Sequence, residues 1–322
     1  MVTETGGDIA GPYRHGIRHP MFDSIEQTLE TLASQDYVAD VGLATSIFLA
    51  LRMGRALFLE GEPGVGKTEV AKVTARALQA PLIRLQCYEG LDVSHAVYEW
   101  NYARQLLAIQ GRRVEDAGRA EHATDGVFTE PFLIRRPLLQ AIDASHERTP
   151  VLLIDELDRA DEEFESFLLE LLSDFQVTIP EIGTLKAEHR PVVVITSNRT
   201  REVHDALKRR CIYYWIPYPS ADKELEIVRR KLPNVGARLG AQVVSFVQGL
   251  REQELYKLPG VAETLDWAEA LMHLGAVELN EQLVAATIGL LLKYQDDVDA
   301  VRGTLGHLLV ARATAPVDHA DA

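Results

Sequence analysis

Eight consecutive residues, Gly61-Glu62-Pro63-Gly64-Val65-Gly66-Lys67-Thr68, fit the spacing GxxxxGK[ST]. The chemistry of that spacing is phosphate capture. Its glycines let backbone N–H groups approach phosphate oxygens, and a helix starting at the loop's end adds partial positive charge. Lys67 suits the terminal phosphates of a nucleotide, and the Thr68 hydroxyl suits Mg²⁺. The bland alternative is a glycine-rich turn that binds nothing. The setting speaks against it. The loop follows an apolar run, Ala56-Leu57-Phe58-Leu59, and opens a stretch of helical composition over 67–79.

A second group of candidates closes another apolar run, Val151-Leu152-Leu153-Ile154-Asp155-Glu156. A strand buried on both faces has no structural use for two acids at its end. A site that hydrolyses phosphate does. Asp155 would hold Mg²⁺, directly or through water, and Glu156 would orient and deprotonate the attacking water. A solvated strand end is the alternative. A third run, Val192-Val193-Val194-Ile195-Thr196-Ser197-Asn198, also has a polar tip. Asn198 suits a γ-phosphate or the attacking water, and suits a turn equally well. Thr196 and Ser197 are weaker candidates. Arg199, Arg201, Lys208, Arg209 and Arg210 form a basic cluster just before the run 211–216. An arginine at that rim could reach a γ-phosphate held by a neighbouring subunit. That use expects a ring of subunits. A solvated face and a nucleic-acid patch are the rival readings.

These residues need a scaffold. Strands are expected at 56–59, 81–86, 151–154, 192–196 and 212–216, with helical stretches between them, beginning with helices over 22–51. That alternation implies an α/β fold with a parallel sheet covered on both faces. Residues 1–20 show no periodicity and read as a flexible arm. Its His15 and His19 are too few for a structural metal site. Pro217-Tyr218-Pro219 marks a boundary, after which only helices are expected, over 220–231, 237–256, 261–275, 280–294 and 296–312. The domains are therefore an arm over 1–20, an α/β domain over 21–217 and an all-α domain over 218–322.

Composition narrows the class. The 322 residues hold 33 basic and 48 acidic side chains, a net charge of −15. Non-specific coating of nucleic acid needs the opposite sign. The two cysteines, Cys87 and Cys211, form no CxxC and point to no oxidising compartment. The opening MVTETGGDIA lacks a basic and an apolar region, so no secretory signal is expected. No run reaches the ~18 apolar residues of a membrane span. A cytoplasmic, acidic protein is the expectation.

In order and texture the motifs resemble the AAA+ ATPases, and within them the MoxR branch. The runs GEPGVGKTEVAK, VLLIDELDRADEEFESFLLELLSDFQVTIP and VVVITSNRTREVHDALKRRC carry the resemblance. FLIRRPLLQAI and PGVAETLDWAEAL are similar to the CoxD-like group, which accompanies carbon monoxide dehydrogenase and related molybdenum hydroxylases. The resemblance covers about residues 22–275. It implies an αβα sandwich with a five-stranded parallel sheet, followed by a helical lid. It implies ATP and Mg²⁺, with 61–68 and Glu69 as the nucleotide loop and Thr68 and Asp155 as metal ligands. Glu156 would be the catalytic base, Asn198 sensor 1 and Arg210 the arginine finger, with Arg209 as the alternative. Tyr37, Val38 and Ala39 sit where the family's adenine pocket begins, and would also suit plain helix packing.

The resemblance further implies a ring, expected to be a hexamer. It implies a partner with a von Willebrand A domain, and a client metalloenzyme at the stage of cofactor maturation. Two insertions would face the client or the pore. One spans 87–109, with Tyr88, Tyr98, Trp100 and Tyr102; ordinary core is the alternative for these aromatics. The other is a hairpin over 176–187, turning at Pro180-Glu181-Ile182-Gly183. It follows an amphipathic helix with Phe164, Phe167, Leu168, Leu171, Leu172 and Phe175 at helical spacing. One position departs from the family pattern. Glu263 stands about where a sensor 2 arginine is expected. The rival function on the same fold is a nucleic-acid motor or restriction-subunit-like NTPase.

Overall fold

The computed structural model describes residues 22–115, 126–143 and 148–315. The proposed arm, with His15 and His19, lies outside the described residues. By its packing the chain divides into two compact units. The first takes the chain up to Thr31, then Val41–Glu60 and Ala71–Tyr214. The second takes Leu32–Asp40, Gly61–Val70 and the chain from Trp215 onward.

Helices α1 (Ile25–Ser34) and α2 (Val41–Met53) lead into β1 (Ala56–Gly61), α3 (Lys67–Ala77) and β2 (Leu82–Gln86). Next come α4 (Val93–Val97), β3 (Tyr98–Trp100), α5 (Tyr102–Glu115), β4 (Leu133–Arg135) and α6 (Pro137–Ile142). They are followed by β5 (Val151–Asp155), α7 (Glu162–Asp174), β6 (Gln176–Ile179), β7 (Gly183–Lys186) and β8 (Val192–Ser197). Helix α8 (Asp205–Lys208) and β9 (Cys211–Ile216) complete the sheet-bearing part.

Five strands form one parallel sheet in the order β2-β5-β8-β1-β9. Every residue of β1 and β5 is buried, as expected of strands covered on both faces. The register sets Leu57 beside Val194, Glu60 beside Ser197 and Ile154 beside Ile195. The C-terminal ends of β1, β8 and β5 therefore finish at one edge, the edge where open α/β sheets bind ligands. A core of Phe58, Leu152, Ile154, Ile195, Phe164 and their neighbours packs around the sheet. Helix α7 starts on Asp161, whose side chain accepts from Phe164 N at 2.8 Å. It buries Phe164, Leu168 and Leu171 in that core.

The hairpin β6–β7 forms where its turn residues predict, paired from Gln176–Lys186 to Ile179–Gly183. A second antiparallel pair was not expected. Tyr98, Glu99 and Trp100 of β3 face Arg135, Ile134 and Leu133 of β4. Three residues per strand are too few to leave a period of two in the sequence.

The second unit holds α9 (Ala221–Lys231), α10 (Ala237–Arg251), α11 (Val261–His273), α12 (Glu281–Thr287), α13 (Gln295–Ala300) and α14 (Gly306–Thr314). Two expectations are corrected here. The single helix over 280–294 ends at Thr287 and tightens into a 3₁₀ turn, Ile288–Leu290. The single helix over 296–312 is interrupted by a wide turn, Val301–Leu305, where Gly303 leaves helical geometry. Glycines at 289 and 303 favour both breaks, since a helix interior gains little from them.

Apolar residues of α10, α11, α12 and α14 form this unit's core, with Phe246 and Trp267 in ring contact at 5.2 Å. An ion pair is buried inside the unit. Arg251 donates twice to Glu224, at 2.7 and 2.8 Å. Gln248 and Thr264 also donate to that carboxylate. Glu224 is thereby satisfied on every side, which its full burial requires. Among the described residues, no helix is long and apolar enough to cross a membrane.

Candidate nucleotide site

The phosphate-loop residues belong to the second unit. Gly61 ends β1 and Lys67 begins α3, so the loop joins strand to helix as its spacing demands. Lys67 is buried, and its ammonium donates to the carbonyls of Gly61 and Glu62, both at 2.7 Å. Its charge thus lies along the inside of the loop. Gly64 holds φ +77° and Gly66 φ +94°, conformations that side chains oppose. A Cβ on Gly64 would lie 2.7 Å from Glu263 Oε2 and 3.1 Å from Gly260 Cα, so the space is tight. This close-walled glycine cradle at a helix start fits a phosphate group.

The loop is walled by the start of α11. Ala262 N donates to Gly64 O at 3.2 Å. A Cβ on Gly260 would lie 2.7 Å from Pro63 O and 2.8 Å from Gly64 Cα. Glu263 turns back to accept from Gly260 N at 3.0 Å, capping α11. Glu263 is therefore a helix cap. Nearby, burial first, then the charges of Glu62 and Glu263, pushes the Tyr218 hydroxyl up to about 12 against the opposing pull of Arg251. The Arg251 guanidinium lies 4.8 Å over its ring. Glu69, in the first turn of α3, pairs with Lys231 at 3.8 Å.

Val38 and Ala39 lie half-buried in the non-helical connection between α1 and α2, beside Tyr37 and Asp40. Neither residue belongs to a helix. Lys223 of α9 pairs with Asp40 at 2.9 Å, and Arg230 donates to Ala33 O at 3.1 Å. Both contacts tether this connection to α9 within the unit.

The acidic and polar tips belong to the first unit. Asp155 is 2% exposed. Its Oδ1 accepts from Thr196 Oγ1 at 2.6 Å, and its Oδ2 from Arg84 Nε at 3.0 Å. Thr196 Oγ1 also accepts from Glu156 N at 2.9 Å. One hydroxyl on β8 thus fixes both acids of β5. Glu156 has left-handed backbone angles, φ 56° and ψ 50°. Its carboxylate stays partly exposed and pairs with Arg159 Nε at 2.9 Å.

Asn198 is half-buried. Its N–H donates to Asp158 Oδ1 at 3.1 Å, and its side-chain amide has no hydrogen-bond partner among the described residues. Asp158 collects three bonds, from Asn198 N, Thr200 N and Thr200 Oγ1. Burial raises its carboxyl, but those bonds outweigh burial and hold it below its ordinary value.

The basic cluster divides. Arg201 pairs with buried Glu165 and donates to Ala160 O, while Lys208 pairs with Glu60 at 3.2 Å. Those two are held by carboxylates of the same unit and are structural. Arg209 and Arg210 are exposed, and their guanidinium groups make no ion pair among the described residues. Their backbone is anchored instead: Arg55 donates to the carbonyls of both, at 3.0 Å to Arg210 O.

The insertion aromatics divide too. Trp100 is buried, edge-on to Tyr98 and Phe128, so it belongs to the core. Tyr102 is 62% exposed and Tyr88 nearly half exposed. Burial first, then the charges of Asp155, Asp158 and Glu156, pushes the Cys87 thiol up to about 12, so it stays protonated and inert.

Sequence reasoning missed Glu60 and Arg84. The signal for Glu60 was present: it is an acid at the end of an apolar strand, as Asp155 is. Arg84 is a lone cation inside Leu82-Ile83-Arg84-Leu85-Gln86, the same kind of anomaly.

A five-stranded parallel sheet with a glycine–lysine–threonine loop after β1 and paired acids after β5 defines a P-loop nucleotide-binding fold. Residues 56–211 match the family model of the AAA domain, dynein-related subfamily. This segment, just under half of the chain, is similar to AAA domains, and the match supports ATPase activity. No curated protein matches the chain.

Among solved structures it is similar to the Thermotoga maritima RuvB Holliday junction branch migration motor, at 17% identity and a TM-score of 0.45. That match covers 82% of this chain and 70% of the other. Two point mutants of RuvB from Thermotoga maritima match at 19% and 18% identity, with TM-scores of 0.47 and 0.48. They cover 84% and 87% of this chain, and 71% and 75% of theirs.

Proposed function

We propose that this chain is a MoxR-type AAA+ ATPase that uses ATP hydrolysis to remodel or mature a client metalloenzyme. The client class is a molybdenum hydroxylase such as carbon monoxide dehydrogenase. The client, and a partner with a von Willebrand A domain, rest on the resemblance of the motif runs and on nothing geometric.

The observation that carries hydrolysis is the Thr196 hydroxyl, which holds Asp155 and Glu156 at once. It leaves Asp155 buried and Glu156 partly exposed, so the two acids have different tasks. Glu156, reached by solvent, suits the general base that takes a proton from water. Asp155 suits Mg²⁺, together with the Thr68 hydroxyl. Oxygen ligands of this kind match that ion, which when bound neutralises charge on the β- and γ-phosphates.

Lys67 exchanges its loop carbonyls for phosphate oxygens, and Gly61 to Glu69 wrap the phosphates. Val38 and Ala39 border the adenine. The side-chain amide of Asn198 orients water or γ-phosphate. Arg210, or Arg209 beside it, serves the ATP of a neighbouring subunit in a ring, expected to be hexameric. Their exposure and lack of ion pairs support that use.

The test is Glu156→Gln. ATP binding should persist while turnover is lost, and the variant should retain its client in ATP. Unchanged turnover would overturn the assignment. Turnover stimulated by single-stranded DNA, and falling steeply with salt, would favour the nucleic-acid motor instead.

A further inference from the structure

Glu60 is a carboxylate buried to 2% exposure at the end of β1. Three elements donate to it. Ser197 Oγ on β8 lies 3.3 Å from Oε1. Tyr213 Oη on β9 lies 3.0 Å from Oε2. Lys208 Nζ on α8 lies 3.2 Å from Oε1 and 3.4 Å from Oε2. The lysine also sits 5.7 Å over the ring of Phe58, which stacks on Tyr213.

A charge this deep costs several kcal/mol unless it is paired and hydrogen-bonded. The arrangement meets that demand, yet an apolar residue would meet it more simply. What distinguishes the cluster is where its members stand in the chain. Glu60 directly precedes Gly61 of the phosphate loop, Ser197 directly precedes Asn198, and Lys208 directly precedes Arg209 and Arg210. One carboxylate therefore binds the residue before each of two site segments and is itself the residue before the third.

We infer that Glu60 is a positioning residue: through Lys208 it fixes the Arg209–Arg210 segment to the ends of β1 and β8. The inference rests on the reading of that segment as the arginine finger. Arg55 supplies a second anchor through the carbonyls of Arg209 and Arg210. Helix α8 has only four residues, too short to hold a direction by itself. Without the Glu60–Lys208 pair, the two arginines keep their charge and lose their aim.

The test separates aim from folding. Glu60→Gln should lower turnover roughly a hundredfold, the scale of a small misplacement of a catalytic group. Its ATP affinity should stay within about twofold, because this assignment leaves phosphate-loop contacts intact. Mixing it with excess Glu156→Gln subunits, which carry an intact finger but no turnover of their own, should restore hydrolysis at the Glu60→Gln sites. Loss without rescue on mixing, or loss of ATP binding, would place the effect inside the subunit's own site and overturn the inference.

Lys208→Met gives a second route should Glu60→Gln fail to fold, since Tyr213 and Ser197 still hold the carboxylate. It should show the same rescuable loss, and wild-type turnover in this variant also overturns the inference. Full turnover with both Arg209→Ala and Arg210→Ala in place would remove the finger reading itself. If those arginines are required while Glu60→Gln turns over normally, the inference alone falls.

Discussion

Arg84 on β2 donates two hydrogen bonds to a single oxygen of Asp155: Nε to Oδ2 at 3.0 Å and a terminal nitrogen to the same atom at 2.5 Å. Thr196 takes the other oxygen. The carboxylate proposed for Mg²⁺ therefore has a protein cation on it already, and Gln86 holds that cation from its far side. Arg84 is half exposed and Asp155 buried, so the pair matters most to the aspartate.

Arg84→Met should lower stability in EDTA by about 1 kcal/mol, a charged hydrogen bond discounted for exposure on the arginine side. With saturating Mg²⁺ and a non-hydrolysed ATP analogue the loss should shrink, because the ion takes over the guanidinium's task. Melting temperatures under both conditions check this. Equal losses would mean that arginine and metal do not compete for Asp155.

Asp158 should give the fold an acid limit. Its carboxyl is held below the ordinary value of about 3.9 because bonds from Thr200 and Asn198 outweigh burial. A depressed carboxyl stabilises fully above its unfolded value and loses that contribution as pH falls through the folded one. Wild-type stability should thus decline below about pH 4. Asp158→Asn should be less stable at neutral pH by about 1–3 kcal/mol, with a shallower acid decline. Urea midpoints across the acid range measure both, and an unchanged acid slope would refute the assignment.

Gly260→Ala should act on nucleotide binding from outside the phosphate loop. The new Cβ would press on Pro63 O and Gly64 Cα, backbone atoms that cannot swing aside. Overpacking of this kind costs about 1–3 kcal/mol. The start of α11 should shift off the loop, and affinity for a fluorescent ATP analogue should fall. Gly236, which precedes α10, has open space around it, so Gly236→Ala is the control and should bind normally. Equal affinity in both variants would show that the α11 contact is not felt by nucleotide.

Much of the scaffold was legible because its strands are buried along their length. Val151 to Asp155 and Val192 to Ser197 are continuous apolar runs, and burial on both faces is what writes such runs. The order β2-β5-β8-β1-β9 left no comparable trace, since pairing partners share no sequence mark. The β3–β4 pair was invisible for a related reason: its halves are three residues each and lie more than thirty positions apart. Helices 280–294 and 296–312 have helical composition throughout. Their breaks at Ile288–Leu290 and Val301–Leu305 depend on single glycines and on packing.

The candidate site could be proposed residue by residue from the sequence, but its wiring could not. Lys67, Asp155, Glu156 and Asn198 stand out by type and position. That Thr196 binds both acids, that Arg84 covers Asp155 and that Lys208 belongs to Glu60 are facts of three dimensions. Arg201 and Lys208 looked like phosphate-directed charge because a sequence shows a cation without its counter-ion.

Glu156 takes φ 56° and ψ 50° on a residue that gains nothing from the left-handed region. Holding a side-chain-bearing residue there costs roughly 1–2 kcal/mol. A glycine would adopt the same backbone without strain, and would bring no carboxylate to the end of β5. The molecule is thus less stable at this position than its own backbone would permit, and the difference goes into presenting one acid to water. A screen that selects variants of this chain only for heat resistance would drift toward glycine at 156, and under the role proposed for Glu156 would collect folded, idle proteins.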